Sequence, residues 1–276
     1  MSPYFVLFGK NIPYYGVLYS AGLLLGGCLG AIRCKKRGIQ GIEAVYAACF
    51  TGIGGVIGAK ILSILTSIKY IIAYSIPFMD IIKNGFVFYG GLLGGMLGLF
   101  IYCKAFKTDV LEYYDIFAVS LPIGHAIGRV GCFLSGCCYG MPYDGPLAVT
   151  YTVAADPNTP LGVPLLPIQL IEASLLVGLY IVLEVVYHKT EKRGLCTSIY
   201  LLSYAAMRFV LEFFRRDVDR GSLFGVSTSQ WISMILVVGW TVAYVLYLRK
   251  KNSGAIRIIP YDTLSEEGKD QTDMPS

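Results

Sequence analysis

The sequence predicts an all-α membrane protein with about seven transmembrane helices. Hydrophobic residues make up 55% of its 276 positions, charged residues only 15%, and the mean hydropathy is +0.61. An ordinary soluble domain is about a quarter charged, so the bilayer is the solvent in which this chain folds. The second observation is a series of apolar runs near the roughly 20 residues that a helix needs to cross the hydrocarbon core.

Seven such runs follow one another along the chain. They centre on residues 14–32, 43–65, 85–103, 112–134, 168–187, 195–214 and 229–248. The fourth run is the least apolar, because it contains Pro122, His125 and Arg129. Six spans with a re-entrant segment in place of the fourth is therefore the alternative arrangement.

The basic residues predict an N-out, C-in orientation. The cluster at 33–37 follows the first span instead of preceding it, so we do not expect that span to be a cleaved signal. With the N-terminus outside, most basic loop residues fall on the cytoplasmic side, as the positive-inside rule requires. The net charge of +5 is then an orientation signal, and no continuous basic patch indicates nucleic-acid binding.

The chain is expected to form one membrane domain, residues 1–251, followed by a tail. Residues 252–276 are polar and rich in acidic side chains, which is typical of a disordered cytoplasmic tail. Residues 66–84, interrupted by Pro77, predict an arm lying in the membrane interface. Residues 141–167 are rich in proline around the alternating run LAVTYTVA, which predicts a strand within a small extracytoplasmic cap.

Glycine is frequent, with 32 residues, and recurs at small-xxx-small spacing in most spans. This spacing lets helix backbones approach closely in lipid, so packing explains most of these glycines. The exceptions are Gly90 and Gly91 in FVFYGGLLGG and Gly131, Gly136 and Gly140 around a group of cysteines. Glycine is denser there than packing requires, and such backbone can open to admit a ligand.

Two arginines, Arg129 and Arg208, lie at bilayer depth. An arginine at the centre of a spanning helix costs about 2.5–3.5 kcal/mol on insertion scales, so it normally has a partner or a ligand inside the bundle. Arg129 lies four residues after His125 and three before Cys132, which places the three side chains on one helical face. Arg208 lies four residues before Glu212, and two arginines follow at 215 and 216.

Two interpretations of these charges remain open. The first is a set of internal ion pairs, such as Arg129 with Glu172 or Arg208 with Glu212, that hold the bundle in register. The second is an anion site, because guanidinium is the preferred bidentate partner of phosphate. The abundant anion at that depth is a phospholipid head group.

Three of the eight cysteines cluster in GCFLSGCCYG as Cys132, Cys137 and Cys138. Together with His125 they would supply four soft ligands for zinc, but the C-x4-C-C spacing is not that of a standard zinc knuckle. There is no C-x-x-C to indicate a redox dithiol. A packing or disulfide role is favoured, and neither a metal nor another cofactor is expected.

The motifs together resemble the bacterial prolipoprotein diacylglyceryl transferase family, from about residue 12 to 250. The matching segments, in order, are IPYYGVLYSAG, FVFYGGLLGG, GRVGCFLSGCCYG, PIQLIEA and MRFVLEFFRRDVDRG. The resemblance implies an enzyme that moves the diacylglyceryl group of phosphatidylglycerol to the lipobox cysteine of a prolipoprotein. The product is a thioether, and glycerol phosphate leaves. The partners implied are phosphatidylglycerol, membrane lipid and the prolipoprotein signal peptide, in the bacterial cytoplasmic membrane.

The resemblance also implies roles for individual residues. Arg129 and Arg208 would bind or stabilise the phosphate, and Glu212 would orient Arg208 or polarise the site. Further positions would line the substrate cavity: Tyr15, Gly90, Gly91, Gly140, Gln169 and Glu172.

The sequence departs from the family pattern at the residues expected to be reactive. Tyr89 stands before the two glycines where the family usually has histidine, and a tyrosine with its ordinary pKa near 10 is a poor base. The usual GRxGNFxNGE has become GRVGCFLSGC, so Cys132, Ser135 and Cys137 replace two asparagines and a glutamate. His125, on the Arg129 face, is the alternative base that the residues themselves indicate.

Three functional hypotheses follow. The first is the transferase, with altered catalytic groups. The second is a paralogue that uses the same lipid-binding fold for a different acceptor or for thiol chemistry. The third is a non-catalytic lipid-binding membrane protein.

Overall fold

The computed structural model describes residues 3–7, 9–74, 77, 86–216, 222–223 and 226–252. Seven long helices dominate this part of the chain: α1 (Tyr14–Lys36), α2 (Gly41–Tyr74), α3 (Phe88–Ala105), α4 (Val110–Ser135), α5 (Ile168–Lys189), α6 (Leu195–Leu211) and α7 (Thr228–Asn252). All seven are long and apolar enough to cross a bilayer, α6 together with the 3-10 turn Glu212–Phe214. The predicted all-α membrane fold is confirmed, and the N-out, C-in orientation stays a prediction.

The fourth span is a continuous helix of 26 residues, so the chain does not adopt the re-entrant alternative. The Asp109 carboxylate caps its first turn by accepting a hydrogen bond from the Glu112 N–H at 3.0 Å. Pro122 lies inside the helix. A proline is tolerated at this depth because neighbouring groups satisfy the backbone carbonyl that it frees.

Glycines bring two pairs of helices into close contact. Gly94 of α3 faces Gly54 and Gly58 of α2, where an added Cβ would collide with backbone atoms. Gly22 of α1 and Gly124 of α4 face each other in the same way. The small-xxx-small spacing therefore does serve helix packing, as the sequence predicts.

A buried carboxylate joins α4 to the beginning of α6. Asp115 accepts hydrogen bonds from the Gly194 N–H at 2.7 Å, the Thr197 N–H at 2.8 Å and the Thr197 hydroxyl at 2.6 Å. These amides have no partner within their own helix, so the carboxylate stabilises the helix start and fixes α6 against α4. Helix α5 packs along both α4 and α6, so the three helices that carry the buried charged residues lie against one another.

Short antiparallel strands complete the fold: β1 (Tyr4–Leu7) with β2 (Lys10–Pro13), β3 (Val149–Thr150) with β4 (Pro164–Leu165), and β5 (Ser222–Leu223) with β6 (Val226–Ser227). The strand predicted over 147–154 is limited to Val149–Thr150. It pairs within the connection between α4 and α5 that the sequence predicts as a cap.

The arm and the tail are mostly outside the described residues. Helix α2 continues through Tyr74, so residues 66–74 of the expected arm are helical. Of its other residues only Pro77 is described, and residues 253–276 of the expected tail are not. The interfacial arm, the cap and the tail therefore stay predictions.

Candidate functional site

A buried ion pair joins α4 to α5. Nη2 of Arg129 lies 3.0 Å from Oε1 of Glu172. Both residues are buried, with 8% and 1% of their surface exposed. This is the first of the two ion pairs that the sequence suggests.

The second pair lies where α6 ends. Nη2 of Arg208 is 2.7 Å from Oε2 of Glu212, and it also donates a hydrogen bond to Oγ of Ser229 on α7 at 3.3 Å. Glu212 begins the 3-10 turn that follows α6. The pair thus fixes the last turn of α6 against the first turn of α7.

A third arginine, Arg215, reaches the site from outside a helix. Its backbone is extended and forms an isolated antiparallel bridge with Gly140. Nη1 of Arg215 then lies 3.9 Å from Oε2 of Glu172. A Cβ at Gly140 would collide with the carbonyl oxygen of Leu166, so the close approach requires glycine. The sequence places Arg215 beyond Arg208 without indicating this route to Glu172.

The five charged residues together carry one positive charge that is not balanced within the set. Three guanidinium groups, those of Arg129, Arg208 and Arg215, face two carboxylates, those of Glu172 and Glu212. In addition, the buried Nε of Arg129 has no hydrogen-bond partner among the residues that the structure describes. Within this set, ion pairing therefore leaves the Nε of Arg129 as a donor that an anion could accept from.

The two candidate bases are held by other contacts. The His125 ring stacks on Phe88 at a centroid distance of 4.0 Å and lies edge-on to Tyr204 at 5.1 Å. The Tyr89 hydroxyl shares a hydrogen bond with Oγ of Ser233 at 2.5 Å. His125 keeps one unpaired atom, Nδ1, within the described part of the chain.

Gly90 and Gly91 lie at the interface between α3 and α2. A Cβ at Gly90 would collide with the Gly58 carbonyl, and one at Gly91 would contact Ala59 at 3.6 Å. Helix packing therefore requires glycine at Gly90, whereas a Cβ at Gly91 would meet only ordinary contacts. Contact of either glycine with substrate stays a prediction.

The cysteine cluster is built by the turn that ends α4. Gly136 has a φ of 70°, and its N–H bonds the Phe133 carbonyl at 3.1 Å, while the Cys137 N–H bonds the Cys132 carbonyl at 3.1 Å. This pair of bonds is the Schellman motif, which folds the chain back over the last helical turn. The C-x4-C spacing therefore brings the first and second cysteines together. Cys138 follows with a φ of 59°.

All three sulfur atoms, those of Cys132, Cys137 and Cys138, lie within 4.8 Å of one another. His125 is not part of this group, so the combination of three thiols with His125 is wrong: seven residues along a helix separate His125 from Cys132 by about 10 Å. No disulfide joins any two of the three cysteines. Hydrogen bonds to the neighbouring thiols, together with burial, raise the pKa of Cys137.

Two side chains in the connection between α4 and α5 donate hydrogen bonds to the backbone of this turn. The Tyr151 hydroxyl donates to the Phe133 carbonyl at 3.1 Å, and the Thr159 hydroxyl donates to the Gly136 carbonyl at 2.6 Å. Burial raises the pKa of Tyr151 to about 12, so the hydroxyl keeps the proton that it donates. The Tyr151 bond is a second one to the Phe133 carbonyl, and the Thr159 bond satisfies the Gly136 carbonyl beyond the helix end. Both bonds tie the cysteine turn to the connection between α4 and α5.

Two further predicted site residues border the cysteine turn. Nε2 of Gln169 donates to the Cys137 carbonyl at 2.7 Å, and Gln169 is one turn before Glu172 on α5. Tyr15 lies beside Gly131, where a Cβ would be 3.3 Å from the Tyr15 Cα. The cysteine turn and the arginine cluster are therefore adjacent parts of one site.

Residues 3–246 match the family model described as prolipoprotein diacylglyceryl transferase. A phosphatidylglycerol--prolipoprotein diacylglyceryl transferase of Clostridium tetani is 37% identical over 234 residues, which cover 85% of this chain and 92% of the relative. A second relative of that name, from Clostridium perfringens, is 35% identical over 86% of this chain and 92% of its own length. A third, from Clostridioides difficile, is 30% identical over 91% of this chain and 97% of its own length.

Proposed function

Because the chain belongs to the prolipoprotein diacylglyceryl transferase family, we propose that it transfers the diacylglyceryl group of phosphatidylglycerol to a prolipoprotein cysteine. This is the activity that its relatives' names state. The observation that carries the proposal within this chain is the buried set of three arginines against two glutamates.

The arginines suit the phosphate side of the reaction. The leaving group is a glycerol phosphate, on which negative charge develops as the carbon–oxygen bond breaks. Arg129 and Arg208 would stabilise that charge, because fixed cations in a water-poor site act most strongly where charge develops. Glu172 and Glu212 hold the two guanidinium groups in place, so little reorganisation is needed when the lipid binds.

The acceptor side requires a thiolate. The acceptor sulfur attacks a glycerol carbon, and a cysteine thiol with its ordinary pKa near 8.5 must first lose its proton. Tyr89 is engaged with Ser233, and His125 is enclosed by two aromatic rings. A role for either residue as the base stays a prediction, and their contacts favour a role in shaping the cavity wall.

The remaining assignments follow from the same reaction. Tyr15, Gly140 and Gln169 line the site beside the cysteine turn, where the acceptor would enter. The acceptor would be presented as the signal peptide of a prolipoprotein, in the bacterial cytoplasmic membrane. No nucleic-acid partner is proposed.

Complementation tests the proposal. The chain is expressed in a bacterial strain depleted of its own transferase, and lipoproteins are examined by mass spectrometry for the added diacylglyceryl thioether. We expect the modified lipoprotein to return. A chain that is present in the membrane but restores no thioether would contradict the transferase, and co-purification of phosphatidylglycerol with such a chain would favour a lipid-binding protein.

A further inference from the structure

We propose that Cys132, Cys137 and Cys138 form a three-thiolate site for a divalent thiophilic cation of the zinc class. We infer further that the open fourth position of this cation takes the acceptor cysteine as its thiolate. The second statement rests on the proposed function, whereas the site itself does not.

The geometry of the three sulfur atoms matches such a site closely. Zinc–sulfur bonds of about 2.3 Å in a tetrahedral arrangement place sulfur atoms about 3.8 Å apart. The sulfur atoms of Cys132, Cys137 and Cys138 already lie within 4.8 Å of one another, so small side-chain rotations suffice to bind a metal. The Schellman turn and the bonds from Tyr151 and Thr159 fix the backbone that carries them.

The number of ligands indicates a catalytic site instead of a structural one. Structural zinc sites are closed by four protein ligands, while catalytic sites use three and leave one position open. Among the described residues, no histidine, aspartate, glutamate or further cysteine joins this cluster. Cys132 is buried while Cys137 and Cys138 are partly exposed, so the cluster is open on one side.

The local charge also fits a divalent ion. Three thiolates around a cation of charge +2 give a net charge of −1, which would be costly to bury alone. Arg129 is one helical turn before Cys132 and acts electrostatically on Cys132 and Cys138. Its positive charge, which it shares with Glu172, reduces the cost of this negative charge in part.

The proposed step generates the acceptor thiolate without a side-chain base. The three thiolates would hold the cation, the acceptor sulfur would bind it, and the thiol proton would pass to water, because a coordinated thiol is deprotonated outright. The thiolate then attacks the glycerol carbon of phosphatidylglycerol, the carbon–sulfur bond forms, and the carbon–oxygen bond to the phosphate breaks. Glycerol phosphate leaves with the electron pair beside Arg129, and no oxidant or reductant is consumed.

Metal binding tests the site directly. The full chain, purified in detergent under reducing conditions, is stripped with a chelator and titrated with Co²⁺, while thiolate-to-metal charge-transfer absorption is followed. We expect about one ion per chain, and replacement of one ligand in C132S, C137S or C138S to weaken binding by at least about tenfold. The control C49A removes an exposed cysteine outside the cluster and should bind Co²⁺ as the unchanged chain does.

Maleimide labelling of the unsubstituted chain tests the same site without any variant, so it does not depend on whether the variants fold. Zn²⁺ should protect Cys137 and Cys138 from a maleimide reagent, and the chelator should restore their reactivity. Absence of stoichiometric metal binding, or a disulfide within the cluster of the purified chain, would overturn the site. Equal Co²⁺ affinity of C137S and C49A would overturn it as well.

Transfer by the same preparation tests the role of the ion. The stripped chain should transfer lipid to a lipobox peptide at least about tenfold more slowly, and Zn²⁺ should restore the rate. Full transfer by a verified metal-free chain would overturn the activation of the acceptor while leaving the proposed function intact. A chain that binds Co²⁺ but transfers nothing, loaded or stripped, would overturn the proposed function and leave the metal site standing.

Discussion

Replacement of Arg129 by lysine separates a phosphate-binding arginine from one that only pairs with Glu172. The lysine keeps the positive charge, and its single nitrogen can replace the 3.0 Å contact with Glu172. It cannot donate hydrogen bonds to Glu172 and to a phosphate in the geometry that a planar guanidinium allows. We therefore expect R129K to fold and insert normally but to transfer poorly.

The size of the effect follows from the contacts of Arg129. One guanidinium nitrogen faces Glu172, and Nε has no hydrogen-bond partner among the described residues. The variant would lose about one charge-assisted hydrogen bond to the phosphate, worth about 1.5–3 kcal/mol. Because about 1.4 kcal/mol corresponds to a factor of ten, kcat/KM should fall about 10- to 150-fold.

The assay uses purified chain, phosphatidylglycerol vesicles and a synthetic lipobox peptide, with the lipidated peptide measured by mass spectrometry. The thermal unfolding midpoint in detergent shows whether R129K is folded. A folded R129K variant whose kcat/KM stays within about twofold of the unchanged chain would refute phosphate binding by Arg129. Arg129 would then be a structural ion-pair partner.

Three other predictions address the packing and charge of the site. E172Q leaves buried guanidinium groups without their shared carboxylate and should lower the free energy of unfolding by about 3–5 kcal/mol; an unchanged unfolding midpoint would count against the cluster. G94A places a Cβ against the backbone of α2, whereas G27A meets nothing within 4 Å, so thermal unfolding should show a loss of about 1–3 kcal/mol for the first alone. Y89F loses only the hydrogen bond to Ser233, worth about 1 kcal/mol, so transfer should fall no more than about fivefold; near-complete loss would instead identify Tyr89 as the base.

The seven spans could be predicted from the sequence because lipid imposes a strong constraint. Every backbone polar group in the bilayer must bond within its own segment, so each apolar run of sufficient length becomes a helix. The pairing of Arg129 with Glu172 was predictable for a related reason, since a buried charge at that depth requires a partner. The sequence leaves open whether these arginines also bind an anion, and anion binding by the cluster stays a prediction.

Arg215 shows why part of the site escaped prediction. Its contact with Glu172 depends on the end of α6 and on a bridge to Gly140, which is 75 residues away in sequence. No local periodicity encodes such a contact. Gly90 illustrates the opposite case, because the glycine density there predicts an open backbone, whereas Gly90 packs against the Gly58 carbonyl of α2.

The cysteine cluster carried a local signal that sequence reasoning missed. A glycine directly after a helix commonly adopts the left-handed conformation that closes a Schellman motif. In this chain Gly136 lies between Cys132 and Cys137, and the motif brings those two residues together. The helix end at Gly136, and not the spacing of a zinc knuckle, determines the geometry of the cluster.

The proposed function requires the arginine cluster to bind the phosphate of phosphatidylglycerol. An experimental structure of the full chain with a bound phosphatidylglycerol would test it most directly. We predict that phosphate oxygens lie about 3 Å from guanidinium nitrogens of Arg129 and Arg208, with Glu172 and Glu212 still paired to them. A head group bound away from both arginines, with the ion pairs unchanged, would contradict phosphate binding by the cluster.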